Sequence, residues 1–190
     1  MAVDLIHIHE DDEGMRSLYP LAARAVVSSD MVEAAQAAER NRAPDGVGWT
    51  DMHIMAAPNI TYADLGLKLA DVAAAMPPEL PRVKRFYSTA SSGWGSETRD
   101  PYGSYDDNAW CFGVGPHCYL KLDVKDELVT GIWYEAGGDN PDELAALRQA
   151  FEAIDRLAPS MIADYWHGGE GAVGDKDFLD RYFKELADDN

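Results

Sequence analysis

The hydrophobic pattern is densest between residues 108 and 136, NAWCFGVGPHCYLKLDVKDELVTGIWYEA, and it predicts three short antiparallel strands. β-Branched and aromatic residues dominate the stretch. Two turn signals interrupt it, Gly113-Val114-Gly115-Pro116 and Lys125-Asp126-Glu127. With Val114-Gly115 as a two-residue loop, Cys111 falls opposite Cys118, Trp110 opposite Tyr119 and Phe112 opposite His117. One face of this meander carries Cys118, Leu120, Leu122 and Val124 and is a core face. The other carries Tyr119, Lys121 and Asp123 beside Trp110 and Tyr134, and is amphipathic. Such a sheet needs a helical layer, which the residues from Asn140 onward supply.

Taken from the start, Val3 to His9 alternates as a strand, with Leu5, His7 and His9 on one side and Ile6 and Ile8 on the other. Residues 12–42 turn helical, with Leu18, Leu21, Ala22, Ala25 and Val26 as one stripe and a break at Ser28-Ser29-Asp30 that divides the run into two helices. Ala43-Pro44-Asp45-Gly46 is a turn, and Asp51 to Ala57 reads as a strand. Thr61, with Asp64 three residues on, caps a helix through Met76 that Pro77-Pro78 ends. Arg82 to Thr89 is a further strand, whose Arg82, Lys84 and Arg85 suit a sheet edge. Asn140-Pro141-Asp142-Glu143 opens a helix that runs to Pro159. Met161 to Trp166 is a strand, residues 168–174 are a glycine-rich loop, and Asp175 caps a last helix. The fold class is therefore α+β: a mixed or antiparallel sheet with the meander at 108–136 and helices packed on one face. A single globular domain over residues 1–190 fits the length. It is divisible into halves 1–89 and 108–190, of order β-α-β-α-β and β-β-β-α-β-α, joined by the segment 90–107, with no sequence repeat between them.

Charge changes what this fold is expected to meet. The chain has 34 acidic and 16 basic residues, a formal charge of -18. Such a surface repels phosphate backbones and anionic membranes, so nucleic acid and membrane are not expected partners. It attracts basic proteins and speeds encounter with them. The N-terminal MAVDLIHIHEDDE has no basic leader pattern, no apolar run reaches membrane-spanning length, and a cytoplasmic location is expected by default. Cys111 and Cys118 are then expected as free, partly buried thiols.

Three patterns invite a chemical reading. His7-Ile8-His9 places two imidazoles on one face of a strand, an arrangement suited to zinc or iron, with a neighbouring carboxylate completing the set. Locally it resembles the H-x-H at the first strand of amidohydrolase-type barrels. The remaining histidines, His53, His117 and His167, stand singly, and the chain is shorter than such a barrel requires. Gly169-Glu170-Gly171-Ala172-Val173-Gly174 matches G-x-G-x-x-G, but no strand and ribose-binding acid follow, and Asp175 and Asp177 oppose a pyrophosphate. Neither Ser91, Ser92 and Ser96 nor the His117-Cys118 neighbours form a nucleophile arrangement.

The third pattern is the segment 90–107, ASSGWGSETRDPYGSYDD, anionic and aromatic at once. Trp94, Tyr102 and Tyr105 are interface-type anchors, and Glu97, Asp100, Asp106 and Asp107 can hold cationic groups. The leading expectation is thus a non-enzymatic acidic binding protein that recognises a basic protein partner, in the manner of inhibitors or immunity proteins, with no cofactor. The alternative is a metal-dependent hydrolase using His7 and His9 with Zn or Fe.

Overall fold

The computed structural model describes residues 4–9, 13–89, 103–137 and 140–188. Its elements begin with β1 (Leu5–His9), β2 (Arg16–Pro20), α1 (Arg24–Arg40), α2 (Leu69–Ala75), β3 (Arg82–Val83), β4 (Arg85–Thr89) and β5 (Gly103–Asp106). They continue with β6 (Trp110–Gly115), β7 (Cys118–Lys125), β8 (Leu128–Ala136), α3 (Pro141–Leu157), β9 (Ser160–Asp164), β10 (Gly169–Ala172) and α4 (Lys176–Asp188). A seven-stranded antiparallel sheet runs in the order β10-β9-β2-β8-β7-β6-β3, and a three-stranded sheet in the order β1-β4-β5. β1 runs parallel to β4 and β5 antiparallel to it, so the class is α+β with both kinds of pairing. Among the described residues no helix is long and apolar enough to cross a membrane.

Strand alternation sends Leu18, Leu120, Leu122, Ile132 and Ile162 to one face of the large sheet. There they pack under α2, α3 and α4, against Val72, Leu147, Phe151, Ile154, Phe178 and Leu179. The opposite face is shared. α1 covers its β9 end with Val27 and Met31 against Met161 and Ala163. The small sheet covers its β7 end with Ile6, Ile8 and Phe86 against Cys111, Tyr119 and Trp133.

The meander forms where expected, but its first hairpin turns later. Gly115 pairs with Cys118, so Pro116-His117 is the loop, and Cys111 lies opposite Lys121, Phe112 opposite Leu120 and Trp110 opposite Leu122. This register puts Pro116, which has no N–H to give the ladder, in the turn. It also places Trp110 and Tyr134 on the main core face and not on the amphipathic one. Cys111 and Cys118 consequently belong to cores on opposite sides of the sheet and are both free.

Several local readings give way to tertiary structure. Residues 16–20, expected as helix, form β2, because β8 and β9 offer it a partner on each side. The helix that follows runs through Ser28-Ser29-Asp30 unbroken. Ser28 Oγ donates to Glu170 and Asp30 accepts bonds from other segments, so neither competes for the helix backbone. Residues 51–57 form no strand. The Thr61 and Asp64 capping bonds are present, but Gly66 at φ 72° ends that turn and regular helix resumes only at Leu69–Ala75. Within the expected strand 82–89, β3 and β4 part at Lys84 and enter different sheets. The glycine-rich loop is β10, paired with β9, and a Cβ at Gly171 would stand 2.5 Å from the Phe178 ring. The helix start at Asn140 is as expected: its side chain accepts the Asp142 N–H.

Two outcomes check this architecture. A Cβ at Gly113 would meet the Cys118 carbonyl at 2.7 Å and Tyr119 Cα at 2.8 Å, so Gly113→Ala should cost about 1–3 kcal/mol in urea unfolding. Burial pushes both thiols up to about 12, so neither cysteine should react with iodoacetamide at neutral pH until the protein unfolds.

Candidate functional site

The densest polar constellation sits at the junction of β2, β8 and β9. Arg16, 8% exposed, donates through Nε to Asp164 Oδ2 at 3.1 Å and through Nη1 to both Glu135 and the Ala136 carbonyl. Asp164 Oδ2 also accepts from Tyr182 Oη at 2.9 Å and faces His167 Nδ1 at 2.9 Å. Its Oδ1 takes the N–H groups of Trp166 and His167. Tyr134 and Tyr182 share a 2.7 Å hydroxyl contact behind it. Burial pushes the Asp164 carboxyl up, but the bonds from His167 and the charge of Arg16 outweigh it and hold it below its ordinary 3.8. A carboxylate with its lone pairs engaged this fully is a structural hub and has little capacity left to act as a base.

The residues singled out from sequence are spread more widely. Trp94, Glu97, Asp100 and Tyr102 lie outside the described residues. Tyr105 is in β5, its backbone paired with Tyr87, and its side chain lies outside the described residues. Asp106 and Asp107 are exposed, and each already has a cation: Lys121 Nζ lies 3.7 Å from Asp106, and Arg85 Nε lies 2.6 Å from Asp107. Asp106 also borders a groove of about 450 Å³ with Asn108, Trp110, Lys121 and Asp123.

His7 is exposed on β1 with its ring 4.6 Å from that of Tyr87. His9 follows on the same strand, and its side chain lies outside the described residues. His53 binds Asp30 on α1, His117 occupies the β6–β7 turn, and His167 serves Asp164, so these three do not converge with β1. Among the described residues no group of three or more His, Cys, Asp and Glu is placed to hold a metal ion. With Cys111 and Cys118 buried and their thiols held protonated, neither supplies a nucleophile.

A different segment stands out on exposure. Between α1 and the Thr61 turn the chain makes a short loop closed by Ala43 N–H to the Gly48 carbonyl and Thr50 N–H to the Asn41 carbonyl. It then runs irregularly to Pro58. Trp49 is 62% exposed, Met52 86% and Ile54 87%, and Val47 is exposed beside them. Isolated exposed apolar residues are ordinary, but four large ones within eight positions form a surface feature. Asp45 and Asp51 flank it, and Glu39, Arg40 and Arg42 stand at its base, so its own charges nearly balance. Alternation in 51–57 reads as a strand, and no sequence signal separates apolar residues facing water from apolar residues facing a core.

Comparison with known proteins returns no match to a family model, to a curated protein or to a solved structure.

The role of the ionic hub is measurable. Asp164→Asn should destabilise the protein by about 3 kcal/mol, because it strips a nearly buried pair of one charge. Since the folded Asp164 carboxyl titrates below 3.8, its stabilisation is present above that ordinary value and drains as pH falls from there through the lower folded one. Urea unfolding of wild type and variant should therefore differ fully at pH 7 and progressively less below pH 3.8.

Proposed function

We propose that this protein is a non-enzymatic binding protein that captures a basic protein partner, acting in the manner of an inhibitor or immunity protein. The observation that carries the reading is the run of exposed apolar side chains Val47, Trp49, Met52 and Ile54 on a chain of net charge -18. Interfaces combine an apolar, aromatic and Met-rich centre with a polar rim, and a few such anchors carry most of the affinity. Because charge within 39–54 nearly balances, the anchoring contact here is apolar. The basic character of the partner follows from the field of the whole surface, which draws in a cation-rich protein before the apolar residues dock. The same field argues against self-association, since a second copy brings another -18. Asp106 and Asp107 contribute to the acidic field at the far sheet, where exchange of Lys121 and Arg85 for a partner's cations would be close to neutral.

Selection of a random-peptide display library on the immobilised protein at low salt tests this with no partner in hand. Enriched peptides should carry Lys or Arg around apolar residues. They should bind more weakly as ionic strength rises, and at least about tenfold more weakly to a Trp49→Ala/Ile54→Ala variant. Failure to enrich any sequence, neutral or acidic binders, or equal binding to the variant would overturn the proposal.

A further inference from the structure

Asp30 lies in the middle of α1, 4% exposed, at a position where a helix gains nothing from an aspartate. Among the described residues its carboxylate is held by no lysine or arginine. It is satisfied instead by donors from two other segments. Oδ1 accepts the Ala56 N–H at 2.9 Å and faces His53 Nε2 at 3.0 Å, both from the exposed segment that follows Trp49. Oδ2 accepts the Tyr165 hydroxyl at 2.6 Å, from the turn between β9 and β10. That turn carries Trp166, 48% exposed, and is itself fastened: Tyr165 N–H bonds the Met15 carbonyl, and Trp166 N–H bonds Asp164.

We infer that Asp30 is a positioning residue that locks the 53–56 segment to the β9–β10 turn, so that the loop bearing Trp49 and Ile54 and the turn bearing Trp166 form one docking surface for the basic partner. The inference rests on the proposed binding function and deepens it. A buried carboxylate must keep its donors or be rehydrated, so the three bonds hold together or fail together. The segment 51–57 has no sheet or helix bonds of its own, and Ala56 N–H to Asp30 fastens its backbone. Without it the apolar residues would be presented by a loose chain, and their ordering would be charged against binding. Trp166 is one residue from this lock, since its neighbour Tyr165 bonds the carboxylate that holds His53 and Ala56, and on this inference its exposed ring belongs to the same surface.

Amide hydrogen exchange of the free protein tests the lock, with Asp30→Ala and the milder Tyr165→Phe compared with wild type. In Asp30→Ala, exchange across 53–57 should rise by about tenfold or more relative to α3 and β7 of the same variant, and Tyr165→Phe should shift it in the same direction. Peptides selected on the wild-type protein should bind both variants more weakly, although no exposed apolar residue has been changed, and should also weaken on Trp166→Ala. Exchange that is unchanged, or that rises equally in α3 and β7, overturns the lock even if peptides bind. Loosened 53–57 with full peptide affinity in the variants overturns the docking role of the lock. Absence of any selected peptide overturns the binding function itself, which the exchange result does not depend on.

Discussion

A guanidinium nearly excluded from water tolerates no missing partner, and meeting that demand at Arg16 fixes how the central strands are assembled. β2 is paired to β8 over only two positions, Ser17 with Trp133 and Leu18 with Ile132. Its ladder to β9 is longer, running from Arg16 with Asp164 to Pro20 with Ser160. Arg16 ties the two junctions together: on one side it holds Asp164 of β9, on the other Glu135 and the Ala136 carbonyl of β8. Any slip of β2 would leave at least one of these charges buried and unpaired, at a cost of several kcal/mol. The pair therefore contributes to the uniqueness of the arrangement more than to its net stability. Tyr182 and Tyr134 extend the same constraint to α4, and the backbone bonds to Trp166 and His167 extend it to the β9–β10 turn.

Asp30 repeats the device at lower cost. It too is a buried carboxylate that gathers distant segments, but its donors are a hydroxyl, an amide and an imidazole in place of a guanidinium. Burial pushes it up, and the bonds from Tyr165, Ala56 and His53 more than compensate, leaving it below its ordinary value. The two aspartates meet at consecutive residues, Tyr165 bonding one and Trp166 the other. The β9–β10 turn is thereby held from both sides of the large sheet.

Much of this architecture is legible in the residues. The meander, the Asn140 start of α3, the Asp175 cap of α4 and the alternation of β1 all follow from periodicity and capping chemistry. What fails to read correctly fails for tertiary reasons. RSLYP at 16–20 continues the helical spacing of Leu18, Leu21 and Ala22, yet becomes a strand because two strands elsewhere complete it. Thr61 and Asp64 make their capping bonds with little helix to cap, since Gly66 turns the chain first. The hairpin at 113–118 slips relative to the expected loop because Pro116 fits the turn and not the ladder. Neither Arg16 nor Asp164 announces itself: one sits in an apparent helix, the other at the end of a strand, 148 residues apart.

The apolar positions of 47–54 are the instructive failure. Local pattern reads 51–57, DMHIMAA, as a strand with residues to bury, and the fold leaves Met52 and Ile54 in water beside Trp49 and Val47. Sequences ordinarily agree with their folds at every level, and disagreements concentrate where function imposes a cost. Exposing four large apolar side chains is such a cost, and on a chain of this charge it brings no compensating gain in solubility or packing. The disagreement resolves if the burial that the pattern specifies is completed by another molecule. On the proposed reading, the segment is an irregular ridge fastened through Ala56 to Asp30, and a bound partner would supply the core that its pattern lacks.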